Sequence, residues 1–343
     1  MEQQHYLVTG GGGFVGLAIC KALRARGARV TSLSRGSYPT LERIGVRAVK
    51  ADLSAPNHTF NEAFENVDGV FHVAAKVDMW GNYDDFYRSN FLGTQNVVNA
   101  CIANRVPRLV FTSSPSVVAR EYDLSGVDES LSYPQRYLAD YPKTKALAEQ
   151  FVLSVDQEVL STVSLRPHLI WGPGDNNFVP TILAKARAGK LFGVGAGKNL
   201  VDFSYIDDCV AAHLLAMERL GDSPAVRGKA FFVSQDEPYP LWNWIDEVLV
   251  AHQLPKIARR IPYRIARTLG GVCEFFCRLY PGNCEPRVTR FLVDQMAHEH
   301  FFDISAAKSL LGYRPEFSMK DAFVATFKAP ATTELPDNQA VAS

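Results

Sequence analysis

The chain has 343 residues, a length that at roughly 150 residues per domain predicts about two domains or one large one. Lys and Arg together number 36, as do Asp and Glu, so the formal net charge is zero. This balance argues against a protein built mainly to coat nucleic acid or an anionic membrane, because both tasks need clustered positive charge. The 47% content of hydrophobic residues excludes wholesale disorder and favours small molecules or proteins as partners.

The N-terminal residues lack the basic stretch and long apolar run of a secretory signal. No segment reaches the roughly 18 uninterrupted apolar residues that a membrane span requires. The nearest, 261–280, contains charged residues, and its apolar residues recur at helical spacing. It is predicted to be a helix that packs on the core or covers a pocket, with an interfacial membrane helix as the alternative.

Three of the six cysteines stand in apolar runs and are predicted to be small buried side chains. Cys273, Cys277 and Cys284 cluster ahead of His298 and His300, but their spacing lacks the paired CxxC of a zinc site. We therefore predict no metal site, reduced thiols and a cytoplasmic location.

Short apolar strands alternate with helical patterns through the first half of the chain. Strands are predicted at 5–9, 28–34, 47–51, 69–74, 108–112 and 162–166, and helices at 14–26, 90–104 and 141–155. Strands separated by helices predict right-handed βαβ units and a parallel sheet covered on both faces. The predicted fold class is α/β, a Rossmann-type doubly wound parallel sheet.

A glycine-rich loop separates the first predicted strand from the first helix. Gly10, Gly13 and Gly16 stand at GxxGxxG spacing, and Phe14 and Val15 begin the apolar face of the helix. Such a loop lets the backbone turn tightly and approach a pyrophosphate at the helix N-terminus. The strand–loop–helix context predicts dinucleotide binding rather than an ordinary turn.

The end of the second strand predicts which dinucleotide binds. Ser34 and Arg35 stand where NAD-binding proteins carry an acid that bonds the ribose hydroxyls. A guanidinium suits a 2′-phosphate, so we predict NADPH/NADP+ rather than NADH/NAD+, against the alternative of an ordinary surface arginine. Further cofactor contacts are predicted after the third and fourth strands, at Asp52, Leu53, Ala74, Ala75 and Lys76.

Tyr141 and Lys145 are four residues apart and therefore lie on one face of a helix. A neighbouring ammonium lowers the pKa of a phenol, so Tyr141 is predicted to protonate a carbonyl oxygen while a nicotinamide delivers hydride. Ser114, after the fifth strand, is predicted to hydrogen-bond the same oxygen, with the adjacent Ser113 as the alternative.

These motifs resemble those of extended short-chain dehydrogenases/reductases over residues 5–328, in the strings TGGGGFVG, HVAAK, NFLGT, TSSPSV, YPKTK and RPHLIWGPGD. The resemblance implies that Ser114, Tyr141 and Lys145 are the catalytic trio. It also implies that Lys145 holds the nicotinamide ribose and that Asn90 supports the active site. Pro167 falls where the family's loop meets the nicotinamide.

More narrowly, the whole sequence is similar to the 3β-hydroxysteroid dehydrogenase branch, and within it to bacterial reductases of long-chain olefin biosynthesis. That resemblance implies NADPH-dependent reduction of the 3-keto group of 2-alkyl-3-oxoalkanoates to 2-alkyl-3-hydroxyalkanoates. The alternatives are an NAD(P)-dependent hydroxysteroid or sterol dehydrogenase and a cofactor-sensing regulator without chemistry. We also expect a homodimer that associates with enzymes of the same pathway.

Aromatic and aliphatic residues dominate the segments expected near the nicotinamide, which favours an apolar keto or hydroxy substrate over a nucleotide sugar. Trp80, Trp171 and Phe178 are predicted to line the pocket, against the alternative that each is a core residue. A substrate carboxylate needs a cation, for which Lys76 and Arg187 are the candidates.

The composition of the sequence changes after Pro167, where Gly, Pro and aromatic residues become frequent. We assign residues 1–170 to an NADP(H)-binding Rossmann domain whose sheet is completed within 200–235. Residues 171–329 are predicted to form mainly a smaller substrate-binding lobe. The polar tail 330–343 is predicted to be disordered.

Overall fold

The computed structural model describes residues 3–280 and 284–328, so the predicted tail lies outside the described residues. The strands are β1 (His5–Thr9), β2 (Arg29–Ser34), β3 (Arg47–Lys50), β4 (Gly69–His72), β5 (Arg108–Thr112), β6 (Leu124–Val127), β7 (Ser161–Pro167), β8 (Ile170–Trp171), β9 (Gly193–Val194), β10 (Leu200–Val201), β11 (Ser204–Tyr205), β12 (Lys229–Val233), β13 (Tyr239–Pro240), β14 (Arg260–Ile261) and β15 (His300–Phe302).

The α-helices are α1 (Phe14–Ala25), α2 (Pro39–Arg43), α3 (His58–Glu62), α4 (Tyr83–Phe86), α5 (Gly93–Ala103), α6 (Asp140–Leu153), α7 (Phe178–Arg187), α8 (Ile206–Asp222), α9 (Leu241–Ala251), α10 (Tyr263–Leu279), α11 (Arg290–Ala297) and α12 (Met319–Phe327). Wider π-helical turns span Tyr87–Leu92 and Ala307–Leu311, and 3₁₀ turns span Pro115–Val118 and Pro224–Val226.

A seven-stranded parallel sheet forms the centre of the molecule, in the order β12-β7-β5-β4-β1-β2-β3. This order confirms the predicted doubly wound fold. The chain adds β2 and β3 on one side of β1 and then crosses to add β4 on the other side, so the strand order reverses between β1 and β4. In such sheets ligands bind in the crevice beyond the carboxyl ends of the strands at this reversal.

Both faces of the sheet are covered, which explains why its strands read as continuous apolar runs. Leu7 of β1 belongs to a core cluster with Val97 of α5 and Val152 of α6. Its neighbour Val8 points to the opposite face and belongs to a second cluster with Ile19 of α1 and the apolar side of α8. The two clusters hold the sheet between two helical layers.

The remaining strands build a smaller lobe against the carboxyl edge of the main sheet. Strand β12, within the stretch predicted to complete the main sheet, pairs with β7, while β13, β10, β15 and β6 form a separate four-stranded sheet. Strand β6 lies within residues 1–170, so the lobe is assembled from excursions out of both halves of the chain.

The prediction that all cysteines are reduced thiols is wrong for one pair. Cys284 returns to a Cα–Cα distance of 5.2 Å from Cys277 at the end of α10, and the two form a disulfide. Cys20, Cys101 and Cys209 are buried, as predicted. No three metal-ligating side chains converge within residues 3–280 and 284–328.

Residues 263–279 form the predicted helix, α10, and it reaches the core through Ala266, but its large apolar side chains do not face inward. Helix α10 packs through a face of small and polar residues, Ala266, Gly270 and Glu274, and its large apolar side chains are exposed. Periodicity identifies an apolar face, but the direction of that face depends on tertiary contacts. None of the helices described is long and apolar enough to span a bilayer.

The Gly16→Ala substitution tests the tight packing between α1 and β1. A Cβ at Gly16 would lie 2.2 Å from the carbonyl oxygen of Gly10, so we expect a loss of unfolding free energy of about 1–3 kcal/mol, measured by urea denaturation. Gly27→Asn is the matched control, because no atom lies within 4 Å of its added Cβ and Asn tolerates its positive φ. Equal losses in the two variants would contradict the prediction.

Candidate active site

The glycine loop is held in a tight turn between β1, α1 and the end of β4. Gly10 has a φ of +71°, its carbonyl accepts from the Gly13 N–H at 2.9 Å, and an added Cβ on it would lie 2.9 Å from the Cα of Ala74. Helix α1 begins after Gly13 with no side-chain cap and no acid in its first turn. Its first N–H groups are thus left for a ligand, and this arrangement fits a dinucleotide pyrophosphate.

The two residues predicted to begin the helix after the loop are only partly buried. Phe14 and Val15 form the first turn of α1 and pack against the core from its edge. Their backbone N–H groups belong to the uncapped end of α1.

Tyr38 lies against the glycine loop, and the sequence analysis missed it. An added Cβ at Gly12 would lie 2.2 Å from its ring, and one at Gly36 would lie 3.0 Å from its hydroxyl oxygen. The ring therefore packs over the glycine loop. Its position after a Gly-Ser pair beyond β2 was the available signal.

Ser34 and Arg35 lie beside this ring at the carboxyl end of β2. Ser34 Oγ is 3.4 Å from Ser32 Oγ. Arg35 is exposed and forms no ion pair with any residue in the described parts of the chain. Its guanidinium is free to meet an anion at the edge of the crevice.

Asp52 and Leu53, the two residues predicted to contact the cofactor after β3, have different partners. The Asp52 carboxylate accepts from the N–H and the hydroxyl of Ser54, at 2.8 and 2.9 Å. Leu53 packs against Gly93 at the start of α5, and its carbonyl accepts from Asn96 at 2.8 Å. Leu53 is thereby fixed at the crevice wall, while the side chain of Asp52 folds onto its own loop.

The loop after β4 is shaped by hydrogen bonds to its backbone. The Ala74 N–H donates to Thr9 Oγ1 at 3.2 Å. The next residue, Ala75, is exposed. Asn90 Oδ1 accepts from the Lys76 N–H at 2.7 Å, and Asn90 Nδ2 donates to the Lys76 carbonyl at 3.0 Å. The Lys76 ammonium is paired with Asp78 at 2.9 Å, which weakens the case for it as the carboxylate partner of a substrate.

Asn90 also reaches the helix that carries Tyr141 and Lys145. From the π-helical turn Tyr87–Leu92, its Nδ2 donates to Thr144 Oγ1 of α6 at 3.1 Å. Behind it, a buried row of hydrogen bonds runs from Thr9 through His72 to Thr94, whose hydroxyl donates to the Asn90 carbonyl at 2.6 Å. Burial and Lys145 lower the pKa of His72 to about 3, so this row is uncharged near neutral pH.

Tyr141 lies in the first turn of α6 and faces two serine hydroxyls. Burial raises the pKa of its phenol, while the hydroxyls of Ser114 and Ser116 partly offset that rise. Ser114 Oγ also accepts from the Ser116 N–H at 3.2 Å, which fixes the turn after β5. The Ser113 hydroxyl helps to lower the pKa of Glu149 and does not act on the phenol. The hydroxyls of Ser113 and Ser116 are both buried and form no hydrogen bond within the described residues. The structure therefore groups Ser114 and Ser116 with Tyr141, and the sequence analysis missed Ser116.

Lys145 is buried one turn further along α6. Its ammonium donates to the Thr112 carbonyl at 2.6 Å and lies 4.1 Å from the centre of the Phe111 ring. Burial lowers the pKa of Lys145 to about 7. The expectation that this ammonium lowers the pKa of Tyr141 is wrong for the cofactor-free protein, because burial dominates at the phenol and Lys145 is directed at Thr112.

A buried ion pair follows on the same helix, and the sequence analysis missed it. The Glu149 carboxylate binds Arg166 Nη2 at 2.6 Å and accepts hydroxyl hydrogen bonds from Tyr133 and Ser164, both at 2.7 Å. Burial raises the pKa of Glu149, but Arg166 and the hydroxyls of Ser164 and Ser113 together hold it below its usual value. In turn, Glu149 opposes the fall in the pKa of Lys145. Arg166, the one charged residue in the predicted strand at 162–166, was the available signal.

The predicted substrate residues fall in three different environments. Trp171 is 0% exposed, with its ring stacked 5.8 Å from Phe327, so its assignment to the pocket is wrong and it belongs to the core. Phe178 stacks 5.3 Å from Trp244 at the start of α7 and stays partly exposed. Trp80 is partly buried on the loop after β4.

Pro167 and Arg187 are the two remaining predicted site residues. Pro167 is buried at the end of β7, beside His168, whose Nε2 is 2.6 Å from His300 Nδ1. Arg187 is exposed in the last turn of α7.

A model of the 3-beta hydroxysteroid dehydrogenase/isomerase family matches residues 7–259. The chain is 43% identical over 325 residues to 2-alkyl-3-oxoalkanoate reductase of Shewanella oneidensis, covering 92% of this chain and 84% of that protein. It is 42% identical over 318 residues to the protein of the same name from Stenotrophomonas maltophilia, covering 92% and 96%. The human sterol-4-alpha-carboxylate 3-dehydrogenase, decarboxylating, is 33% identical over 331 residues, covering 94% and 87%.

Solved structures share the fold. That of gox2253 has a TM-score of 0.75 at 26% identity, covering 95% of this chain and 97% of that chain. MoeE5, solved in complex with UDP-glucuronic acid and NAD, has a TM-score of 0.71 at 22% identity, covering 94% and 98%. Together with the family match and the named relatives, these likenesses agree with the site geometry. The chain belongs to the 3-beta hydroxysteroid dehydrogenase/isomerase family and is an NAD(P)-dependent oxidoreductase of the short-chain dehydrogenase/reductase type.

Proposed function

We propose that this protein uses NADPH to reduce the 3-keto group of long-chain 2-alkyl-3-oxoalkanoates to the 3-hydroxy acids, as a step of olefin biosynthesis. The observation that carries the proposal is the Tyr141 phenol facing the hydroxyls of Ser114 and Ser116, with Lys145 one turn behind. The two named reductases at 42–43% identity support the substrate class.

In the proposed reaction the ketone oxygen sits among three hydroxyl groups. Tyr141 donates its proton to that oxygen, and Ser114 and Ser116 orient it by hydrogen bonding. NADPH, when bound at the glycine loop, supplies the hydride to the carbonyl carbon. One hydride and one proton convert the ketone into the secondary alcohol, leaving a tyrosinate that must be reprotonated.

Burial keeps Tyr141 in the protonated form that the reductive direction requires, because it raises the pKa of the phenol. Near neutral pH a substantial fraction of Lys145 is protonated, because its pKa is about 7. In the proposal its ammonium stabilises the tyrosinate only after the nicotinamide ribose has drawn it away from the Thr112 carbonyl. Asn90 is proposed to be a positioning residue, because its hydrogen bonds to the Lys76 backbone and to Thr144 hold the loop after β4 against α6. The ribose of the nicotinamide is assigned to Lys145.

The substrates in the relatives' names share one chemical group, a carboxylate on the carbon next to the one that is oxidised or reduced. A 2-alkyl-3-oxoalkanoate carries its ketone on the carbon next to the one that bears the carboxylate. A sterol 4-carboxylate oxidised at C3 has the same arrangement, which is why a sterol dehydrogenase is the second candidate. The partly exposed aromatic rings of Trp80 and Phe178 suit an alkyl body in either case.

Replacing Tyr141 tests the assigned proton donor. We expect Tyr141→Phe to lower kcat by about 10²–10⁴-fold with NADPH affinity unchanged, because only the proton is removed. Tyr239→Phe is the matched control, since that hydroxyl bonds Glu247 at 2.7 Å on the surface. NADPH absorbance is followed with a 2-alkyl-3-oxo acid.

The same assay with a sterol 4-carboxylate and NAD+ discriminates the second candidate. Turnover of the sterol without turnover of the 2-alkyl-3-oxo acid would reverse the proposal. A Tyr141→Phe variant with wild-type activity would instead favour the regulator alternative.

Arg35→Asp tests the choice of cofactor. Loss of the guanidinium and gain of an acid should move the ratio of NADPH to NADH affinity towards NADH by at least about tenfold, equivalent to about 1.4 kcal/mol. Dissociation constants are measured by fluorescence titration with each cofactor. Arg314→Asp makes the same charge change at another exposed site, and its ratio should equal that of the wild type. An unchanged ratio in Arg35→Asp would refute the assignment.

Lys145→Met tests the buried ammonium in the cofactor-free protein. Because the pKa of Lys145 falls to about 7 on folding, the folding penalty is complete below pH 7 and is relieved as pH rises towards the unfolded value of about 10.4. The unfolding free energy of the variant relative to wild type should therefore be greatest at pH 6. It should decline on the order of 2–4 kcal/mol by pH 10.

Lys143→Met is the matched control on the same helix, because Lys143 is exposed. Urea denaturation of wild type and both variants is compared at the two pH values. A pH-independent difference for Lys145→Met would show that the lysine is not penalised by burial.

A further inference from the structure

Helix α10 has its amphipathic faces reversed relative to a helix that packs on a core. The small or polar side, formed by Ala266, Gly270 and Glu274, is buried. The opposite side is a stripe of large apolar side chains that are between 46% and 59% exposed, namely Ile265, Leu269, Val272, Phe275, Phe276 and Leu279. We call these six residues the outer face of α10.

The contacts of α10 with α11 hold this orientation in place. A Cβ at Gly270 would lie 3.0 Å from the backbone of Thr289 and Arg290, so the two segments are in close contact there. The buried Glu274 carboxylate accepts from the Arg290 backbone N–H at 2.6 Å and pairs with its guanidinium at 2.8 Å. Rotating the outer face inwards would break this ion pair and bury bulky side chains in a space sized for glycine.

The segment around the outer face carries a strong positive charge. Residues 256–290 contain eight Lys and Arg and two Asp and Glu, a net charge of +6 in a chain whose total is zero. Two of these basic residues are already in ion pairs: Arg290 with the buried Glu274, and Arg267 with Glu121 and Asp294, which lie outside the segment. Arg264 and Arg278 are exposed and flank the apolar stripe on the helix surface.

The outer face lies next to the loop that leads into the candidate active site. Trp80, on the loop after β4, donates from Nε1 to the Cys284 carbonyl at 3.1 Å, and its ring lies 5.6 Å from the Arg278 guanidinium. On the same loop Val77 and Met79 are 43% and 44% exposed. This loop begins at the residues assigned to the cofactor, so apolar surface extends from α10 towards the site.

We propose that the outer face of α10 docks this protein on the surface of an anionic lipid bilayer, with the helix lying in the plane of the interface. Large apolar residues on one side of a helix with arginines beside them are the features that drive such binding. Each basic residue near an anionic surface adds to the attraction, which salt then screens.

A second copy of this chain fits the outer face less well. Two-fold pairing through the same surface would bring the exposed Arg264 and Arg278 of one copy close to those of the other, and like charges at close range repel. An anionic surface removes that repulsion. A link to catalysis, in which the bilayer delivers long alkyl chains to the loop of Trp80, rests on the proposed function; the docking itself does not.

Vesicle flotation of the full-length protein without substrate tests the docking. We expect binding to phosphatidylcholine vesicles containing 30% phosphatidylglycerol to be at least tenfold tighter than to phosphatidylcholine alone, and to weaken with added salt. The double variant Leu269→Glu/Phe276→Glu should lose at least tenfold in affinity for the anionic vesicles. The control Val159→Glu/Val250→Glu changes two exposed valines elsewhere to the same acid and should bind as the wild type.

Thermal melting first establishes that both double variants are folded. Their turnover of a short-chain 2-alkyl-3-oxo acid should equal that of the wild type, since the assay contains no vesicles. The docking proposal is overturned if the wild type does not float with anionic vesicles, or if both double variants bind equally. It is also overturned if the outer-face variant halves the sedimenting mass, because a second copy would then cover the face. Flotation without any turnover by the wild type would overturn only the proposed function.

Discussion

One carboxamide joins the parts of the site that must act together. Asn90 is held from behind by the buried row from Thr9 to Thr94, and its side chain bonds both the Lys76 backbone and Thr144 of α6. The loop that borders the cofactor crevice and the helix that carries Tyr141 are therefore fixed relative to one another. Because Asn90 and Thr144 are buried, losing the carboxamide would leave the Thr144 hydroxyl without water to replace it.

Around this carboxamide the protein keeps an unusual set of charges out of water. Lys145 is driven towards neutrality by burial, while Glu149 stays ionised because Arg166 and neighbouring hydroxyls hold it. Breaking a buried pair by removing one partner is costly, so the Glu149–Arg166 pair also fixes α6 against β7. Catalytic electrostatics and the packing of the sheet thus use the same residues.

The sequence predicted what local patterns determine. The bounds of β1 and β5 agree with their predicted ranges, and the glycine loop lies where its spacing placed it. Contacts between residues far apart in the chain could not be predicted from these patterns. Trp171 is a core residue because Phe327 stacks on it, and Glu149 is buried as an ion because Arg166 of β7 pairs with it. The exposed face of α10 was missed for the same reason. Periodicity marks a face, whereas tertiary packing decides which way it points.

Strand β6 has a mechanical consequence for the site. It begins only a few residues after the 3₁₀ turn Pro115–Val118, which places Ser116 beside Tyr141, and it pairs with β15 in the lobe sheet. Arg120 stiffens the connection, because its guanidinium donates to the carbonyls of Val118 and Ala119. The turn that carries Ser114 and Ser116 is therefore joined to the lobe sheet by a short, hydrogen-bonded stretch of backbone. The position of the serine hydroxyls thus depends on the packing of the lobe as well as on the main sheet.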